Sequence, residues 1–332
     1  MSTRREDDLA DEPAPTYRVY GFTLQSDVAF ETSLYRASGP ADVTFTWSGQ
    51  DPIWRAEGEV RCLHESPVPG PGQSSELGLF RGRDYELIRL ADVAEYTLGP
   101  TQIHCKLLDS SKPHAVEINL LGVVLAYWME QRKHLALHAS AVQVGDQCVL
   151  FFGTNGVGKS TLAALMVQRG HALLSDDIVA VSQHGEGFVA QPSFPQMRMW
   201  PAQAQYFLGR TRPLKLAHPD FTKLRIPVGD GGFGRYAHAP LPVRAIYLVE
   251  EDSQLGDAAV TIEPLSPGAA TIELIRHSFV PNMVAAAGLS PERLVAITTL
   301  LGQARARRLV HSPGTMHYAR IVDALEHDLA TA

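Results

Sequence analysis

Nine consecutive residues constrain this chain more than any other stretch: Gly153, Thr154, Asn155, Gly156, Val157, Gly158, Lys159, Ser160 and Thr161. They fit G-x-x-x-x-G-K-[ST], and the apolar run Cys148 to Phe152 stands directly before them. Such a glycine-rich turn lets successive backbone N–H groups converge on a polyphosphate, backed by the positive N-terminus of the next helix. That context demands strand, loop and helix in order. Thr161 to Gln168 supplies the helix, with Leu162, Leu165 and Met166 on one face and Gly170 to end it. A nucleotide site follows from the pattern, with Lys159 on the outer phosphates and the Ser160 hydroxyl on Mg2+.

Two further signals flank the loop. Leu135 to Val144 has the apolar composition of a strand, and the turn at Val144-Gly-Asp-Gln returns it into the loop strand. That hairpin predicts His138 beside the phosphates. After the helix, Ala172 to Leu174 and Ile178 to Val181 bracket two adjacent acids, Asp176 and Asp177. Carboxylates at a strand end so soon after Gly-Lys-Ser-Thr suit a metal-associated role or a general base.

The P-loop classes separate by what accompanies the loop. Asp176 comes 17 positions after Lys159, far too soon for the Walker B strand of switch GTPases or ABC ATPases. The loop itself is ABC-like, but neither a Leu-Ser-Gly-Gly stretch nor a guanine-specifying Asn-Lys-x-Asp occurs. Strand histidine, P-loop, Arg-Gly-His and Asp-Asp together resemble the HPr kinase/phosphorylase family, with a more distant likeness to ATP-dependent phosphoenolpyruvate carboxykinase. The similarity is strong over His138 to Val181. It implies ATP and Mg2+ as cofactors, His138 and Asp176 acting at the attacking hydroxyl, Asp177 with Ser160 at the metal, and a homo-oligomer. The family's Glu-Ile-Arg-Gly stretch is absent, and Met197-Arg198-Met199-Trp200 stands in its place, which leaves phosphorolysis and HPr as substrate open. Arg198 and Lys159 join the candidate catalytic set as cations for transferring phosphate. Lys215, Lys223 and Arg225 are basic residues without an assigned role.

The rest of the chain sets the frame. Residues 1–15 are charged and proline-bearing, and predict a disordered leader. Tyr17 to Ser26, Asp42 to Ser48, Tyr85 to Leu90, Glu95 to Leu98 and Gln102 to Leu108 read as strands, and Pro67 to Ser75 as a loop. Ala115 to Arg132 has helical apolar spacing. The expected fold is α/β: an antiparallel β-rich domain with a bridging helix over 16–132, then an HPr kinase-like P-loop α/β domain over 133–332 closing in helices. Those helices are Gly268 to Phe279, Pro291 to Leu301 and Pro313 to Leu329, with Arg305, Arg307 and Arg308 read as a solvated helix end. The opening Tyr17-Arg-Val-Tyr-Gly resembles HPr kinase-like proteins of peptide maturation, including those that phosphorylate a serine of a lasso-peptide precursor.

Composition excludes some partners. The 332 residues carry 29 Lys plus Arg against 36 Asp plus Glu, a net charge of -7, so no basic stripe for nucleic acid is expected. No run approaches the roughly 18 apolar residues of a membrane span. Three cysteines, Cys62, Cys105 and Cys148, without C-x-x-C spacing, read as buried thiols of a reducing, cytoplasmic compartment. The expected activity is an ATP and Mg2+ dependent kinase acting on a serine-type hydroxyl of a small protein or peptide. The alternatives are a small-molecule or carboxykinase-like enzyme and a non-catalytic nucleotide-binding regulator.

Overall fold

The computed structural model describes residues 14–55, 58–66, 77–209, 214–218, 221–255 and 259–331. The leader expected over 1–15 lies outside them except for its last two residues, and the loop expected from Pro67 lies outside them altogether. Pro15 is already tied down, its carbonyl accepting from the Ser26 N–H at 3.0 Å.

Nine strands build the first sheet: β1 (Thr16–Val19), β2 (Phe22–Ser26), β3 (Tyr35–Arg36), β4 (Val43–Ser48), β5 (Arg61–Glu65), β6 (Leu77–Arg81), β7 (Glu86–Leu90), β8 (Ala94–Leu98) and β9 (Gln102–Leu107). Their order is β3-β1-β2-β4-β9-β8-β7-β6-β5. The sheet is mixed rather than antiparallel, because β4 runs parallel to both β2 and β9. Alternation along each strand tells which face is buried, and is silent about the direction of the neighbour. Tyr20 and Gly21, with φ of 52° and 84°, make the two-residue turn between β1 and β2.

The bridging helix is interrupted. α1 (His114–Asn119) and α2 (Leu125–Glu130) flank a wide turn, residues 120–124, kinked at Gly122 with φ -99° and ψ -113°. Its apolar residues, Trp128 at 1% exposure among them, join one core with the first sheet and with Ile178, Ala180, Phe194 and Met283 from further along the chain. The two regions therefore share apolar packing.

The second sheet holds the loop. β10 (Leu135–Leu137), β11 (Ala139–Val144), β12 (Gln147–Phe152), α3 (Lys159–Gln168), β13 (Ala172–Ser175), β14 (Val179–His184) and β15 (Gly187–Ala190) follow in turn. The strand expected over 135–144 is broken at His138: β10 pairs with β14, whereas β11 pairs with β12 and β13. Next come β16 (Gln196–Met199), α4 (Pro201–Leu208), β17 (Leu216–His218) and β18 (Phe221–Pro227), the three strands forming a small separate sheet in the order β16-β18-β17. β19 (Arg235–Tyr236) edges the large sheet, and β20 (Leu241–Glu251) crosses its middle, parallel to β12.

The C-terminal part carries a strand where a helix end was expected. β21 (Val260–Pro264), α5 (Pro267–Arg276), α6 (Pro281–Ala286) and α7 (Ser290–Gln303) are followed by a strand, β22 (Arg305–His311), before α8 (Tyr318–Ala330). β22 lies between β20 and β21, so Arg305, Arg307 and Arg308 sit on a strand, not a helix end. Arg307 pairs with Asp328 and Arg308 with Glu250, and these acids let a basic run enter a sheet. Of the cysteines, Cys105 and Cys148 are buried, and Cys62 is exposed. No helix among the described residues is long and apolar enough to cross a membrane.

Candidate phosphoryl-transfer site

The loop between β12 and α3 takes the shape its glycines allow. Gly153, Gly156 and Gly158 have φ of 147°, 85° and 101°, a region that side-chain-bearing residues rarely enter. At Gly153 space is also lacking, since a Cβ would meet the Val249 carbonyl oxygen at 2.5 Å. Asn155, Gly156, Gly158, Lys159, Ser160 and Thr161 line a polar cavity together with His138, Asp177 and Arg198. Val157 is 8% exposed and packs into the core beneath the loop. Gly153 and Thr154 turn their carbonyls to the Lys159 ammonium, which donates to them at 2.9 and 3.0 Å. Burial pushes the Lys159 amine down to about 8.

The acids stand in the turn between β13 and β14, closed by the Ser175 hydroxyl donating to the Ile178 carbonyl. Asp176 is buried and fully occupied. Its Oδ1 accepts from the hydroxyls of Ser160 at 2.8 Å and Ser140 at 2.6 Å, and its Oδ2 accepts from the Arg198 N–H at 2.9 Å. Burial outweighs these bonds and raises its pKa. Asp177 has φ 75°, a conformation asparagine and aspartate tolerate best, and it aims its carboxylate the other way. Arg198 Nη1 donates to Asp177 Oδ2 at 2.7 Å. Burial would raise that carboxyl, but the neighbouring cations, Arg198 foremost, hold it below the usual range.

His138 occupies the break between β10 and β11. Its backbone N–H donates to the His277 carbonyl at 3.1 Å, its ring lies 5.8 Å from that of Phe279, and its Nδ1 is 4.0 Å from Asp177 Oδ1. Burial pushes its pKa down to about 4, so the ring is neutral near pH 7. His138, Lys159, Ser160, Asp176, Asp177 and Arg198 thus converge on one loop. Asp176 is the exception in orientation, since it backs the cavity through Ser160 rather than facing the open side. Lys215 and Arg225 do not line the cavity, and pair with Glu31 at 3.0 Å and Glu117 at 3.7 Å. Ser140 was not foreseen. The only sequence signal for it was its place two residues after His138 on a strand, where side chains alternate.

Ser160 and Asp176 form a pair of hard oxygen donors of the kind Mg2+ takes. Among the described residues no group of three or more His, Cys, Asp or Glu could hold a metal. Mg2+ commonly uses one or two carboxylates and completes its shell with water and substrate phosphate, so this donor set fits it.

Residues 130–197 match the family model of the HPr Serine kinase C-terminal domain. The HPr kinase/phosphorylase of Mycoplasmopsis pulmonis is 37% identical over 79 residues, covering 24% of this chain and 25% of that protein. That of Lacticaseibacillus casei is 36% identical over 93 residues, 28% of each chain. The solved HPr(Ser) kinase/phosphatase from Coxiella burnetii aligns over 59% of this chain and 97% of its own at 13% identity, with a TM-score of 0.30. The chain spans only 25% and 28% of the length of those two curated relatives. The segment that contains His138, the glycine-rich loop and both aspartates is therefore similar to the corresponding segment of HPr kinase-like proteins.

Proposed function

We propose that this protein is a kinase that transfers the terminal phosphoryl group of ATP to a serine-type hydroxyl of a small protein or peptide. The observation that carries the reading is the division of labour between adjacent acids: Asp176 on the Ser160 hydroxyl at 2.8 Å, Asp177 facing Arg198 and His138 at 2.7 and 4.0 Å. In this reading the loop from Gly153 to Thr161 cradles the phosphates through its backbone N–H groups, and Lys159 leaves the Gly153 and Thr154 carbonyls for the outer phosphates.

Ser160 and Asp176 would hold Mg2+, which when bound neutralises charge on the outer phosphates. Asp177 is then the base, and this exchanges the roles expected from the family resemblance for the two aspartates. Asp176 is turned to Ser160 and Ser140 and does not line the cavity, whereas Asp177 does, so Asp177 is the acid an acceptor hydroxyl would meet. Neutral His138 beside it orients the acceptor hydroxyl. As the acceptor oxygen bonds to phosphorus, the bond from phosphorus to the bridging oxygen breaks, ADP leaves, and the hydroxyl proton passes to Asp177. Arg198 fixes the Asp177 carboxylate and adds positive charge where the phosphoryl group moves.

Incubation with γ-labelled ATP, Mg2+ and serine-bearing peptides, a lasso-peptide precursor and HPr among them, tests the reading. Label in a peptide or protein supports it. Label only in a small molecule, or tight ATP binding with no turnover, rejects it.

A further inference from the structure

The small sheet β16-β18-β17 presents one face to the loop cavity. Met197 and Met199 are 0% and 3% exposed in the core beneath, so Arg198 between them points the other way. β18 runs antiparallel beside β16 with Arg198 opposite Arg225 and Met199 opposite Leu224, and continuing that register by one residue sets Trp200 against Lys223. The contact is made: the Lys223 ammonium lies 5.4 Å from the centre of the Trp200 ring. Both residues line the same cavity as Lys159, Ser160 and Asp177.

Three cations share this face, and two are matched by acids. Arg198 holds Asp177 at 2.7 Å, and Arg225 has Glu117 at 3.7 Å. Lys223 has no carboxylate within ion-pair distance among the described residues. The Lys159 ammonium likewise makes no ion pair among the described residues and rests on two loop carbonyls. Two ammonium groups thus line one cavity without an ion-pair partner among the described residues, an arrangement that suits a bound anion.

We propose that Lys223, steadied by the Trp200 ring, is a second cationic contact to the terminal phosphoryl group of the nucleotide, made from the sheet side opposite Lys159. The inference rests on the kinase reading above. In that reading the loop backbone cradles the inner phosphates and Lys159 reaches the outer ones from the loop. Lys223 lines the cavity together with His138, Asp177 and Arg198, the residues placed at the transfer end. It therefore distinguishes a nucleoside triphosphate from a diphosphate and stabilises the charge of the moving phosphoryl group without exchanging a proton.

The test is calorimetric titration of the full chain with ATP and with ADP, each with Mg2+, for the wild type, Lys223→Met and Lys223→Arg. Loss of a charge-assisted contact is expected to weaken ATP roughly 10- to 100-fold in Lys223→Met, with ADP within about twofold. Lys223→Arg is expected to keep most of the preference for ATP. Equal losses for ATP and ADP, or no loss for either, overturn this inference and leave the kinase reading standing. Failure of the wild type to bind ATP overturns both.

Discussion

Asp176 and Asp177 adjoin in the chain, yet their carboxylates meet different side chains, one the Ser160 hydroxyl at 2.8 Å and the other the Arg198 guanidinium at 2.7 Å. The acid proposed for the metal and the acid proposed for the acceptor thus stand side by side, the second at a left-handed φ of 75°.

Substituting the two acids separately should therefore give different failures. Asp177→Asn is expected to keep Mg2+-dependent ATP binding within about twofold and lose transfer by about 10²- to 10⁴-fold, the usual worth of a positioned base. Asp176→Asn is expected to remove the Mg2+ dependence of ATP binding. Titrations with and without Mg2+, beside transfer assays, separate the two, and the reverse pattern restores the opposite assignment.

His138 makes stability sensitive to mild acid. Its pKa is about 4 in the folded chain against 6.5 for the free side chain, so between those values the unfolded chain binds the extra proton. Stability is full above pH 6.5 and falls as pH drops toward 4, by on the order of 1–3 kcal/mol. Urea unfolding of His138→Gln at pH 7 and pH 4.5 should show a smaller difference than the wild type.

Two loop glycines should tolerate a methyl group unequally. Gly156 has φ 85° and open space around it, so Gly156→Ala is expected to cost about 1 kcal/mol from the backbone alone. Gly153→Ala adds a 2.5 Å clash with the Val249 carbonyl, which belongs to the central strand and cannot yield cheaply. A loss of roughly 2–4 kcal/mol is expected there. Denaturant midpoints of the two variants rank them.

A buried ion pair anchors the approach to His138. Glu130, at the end of α2, accepts from Arg293 Nε at 3.0 Å on both oxygens and from the Ala136 N–H at 2.8 Å. Arg293→Met strands a buried carboxylate and is expected to destabilise by roughly 3–5 kcal/mol, whereas Glu130→Gln with Arg293→Met should recover part of that loss. A double-mutant cycle by chemical unfolding measures the coupling.

The sequence by itself determined the P-loop, the helix behind it, the short return to Asp176 and Asp177, and the approach of His138, because each depends on neighbours within a few residues of one another. Glycine positions, apolar runs and a hairpin turn are local physics. Tertiary structure decided what depends on pairing between distant segments. Strand alternation shows which side is buried and not which way the neighbour runs, so the parallel pairs of β4 were hidden. Arg305, Arg307 and Arg308 looked too charged for a sheet until Glu250 and Asp328 came beside them. Ser140 met Asp176 across 36 residues, and Lys223 reached the cavity only through the register of β16 on β18. The backbone turn at Asp177 completed the site by giving two identical side chains different surroundings, and side-chain surroundings are a property of the folded chain.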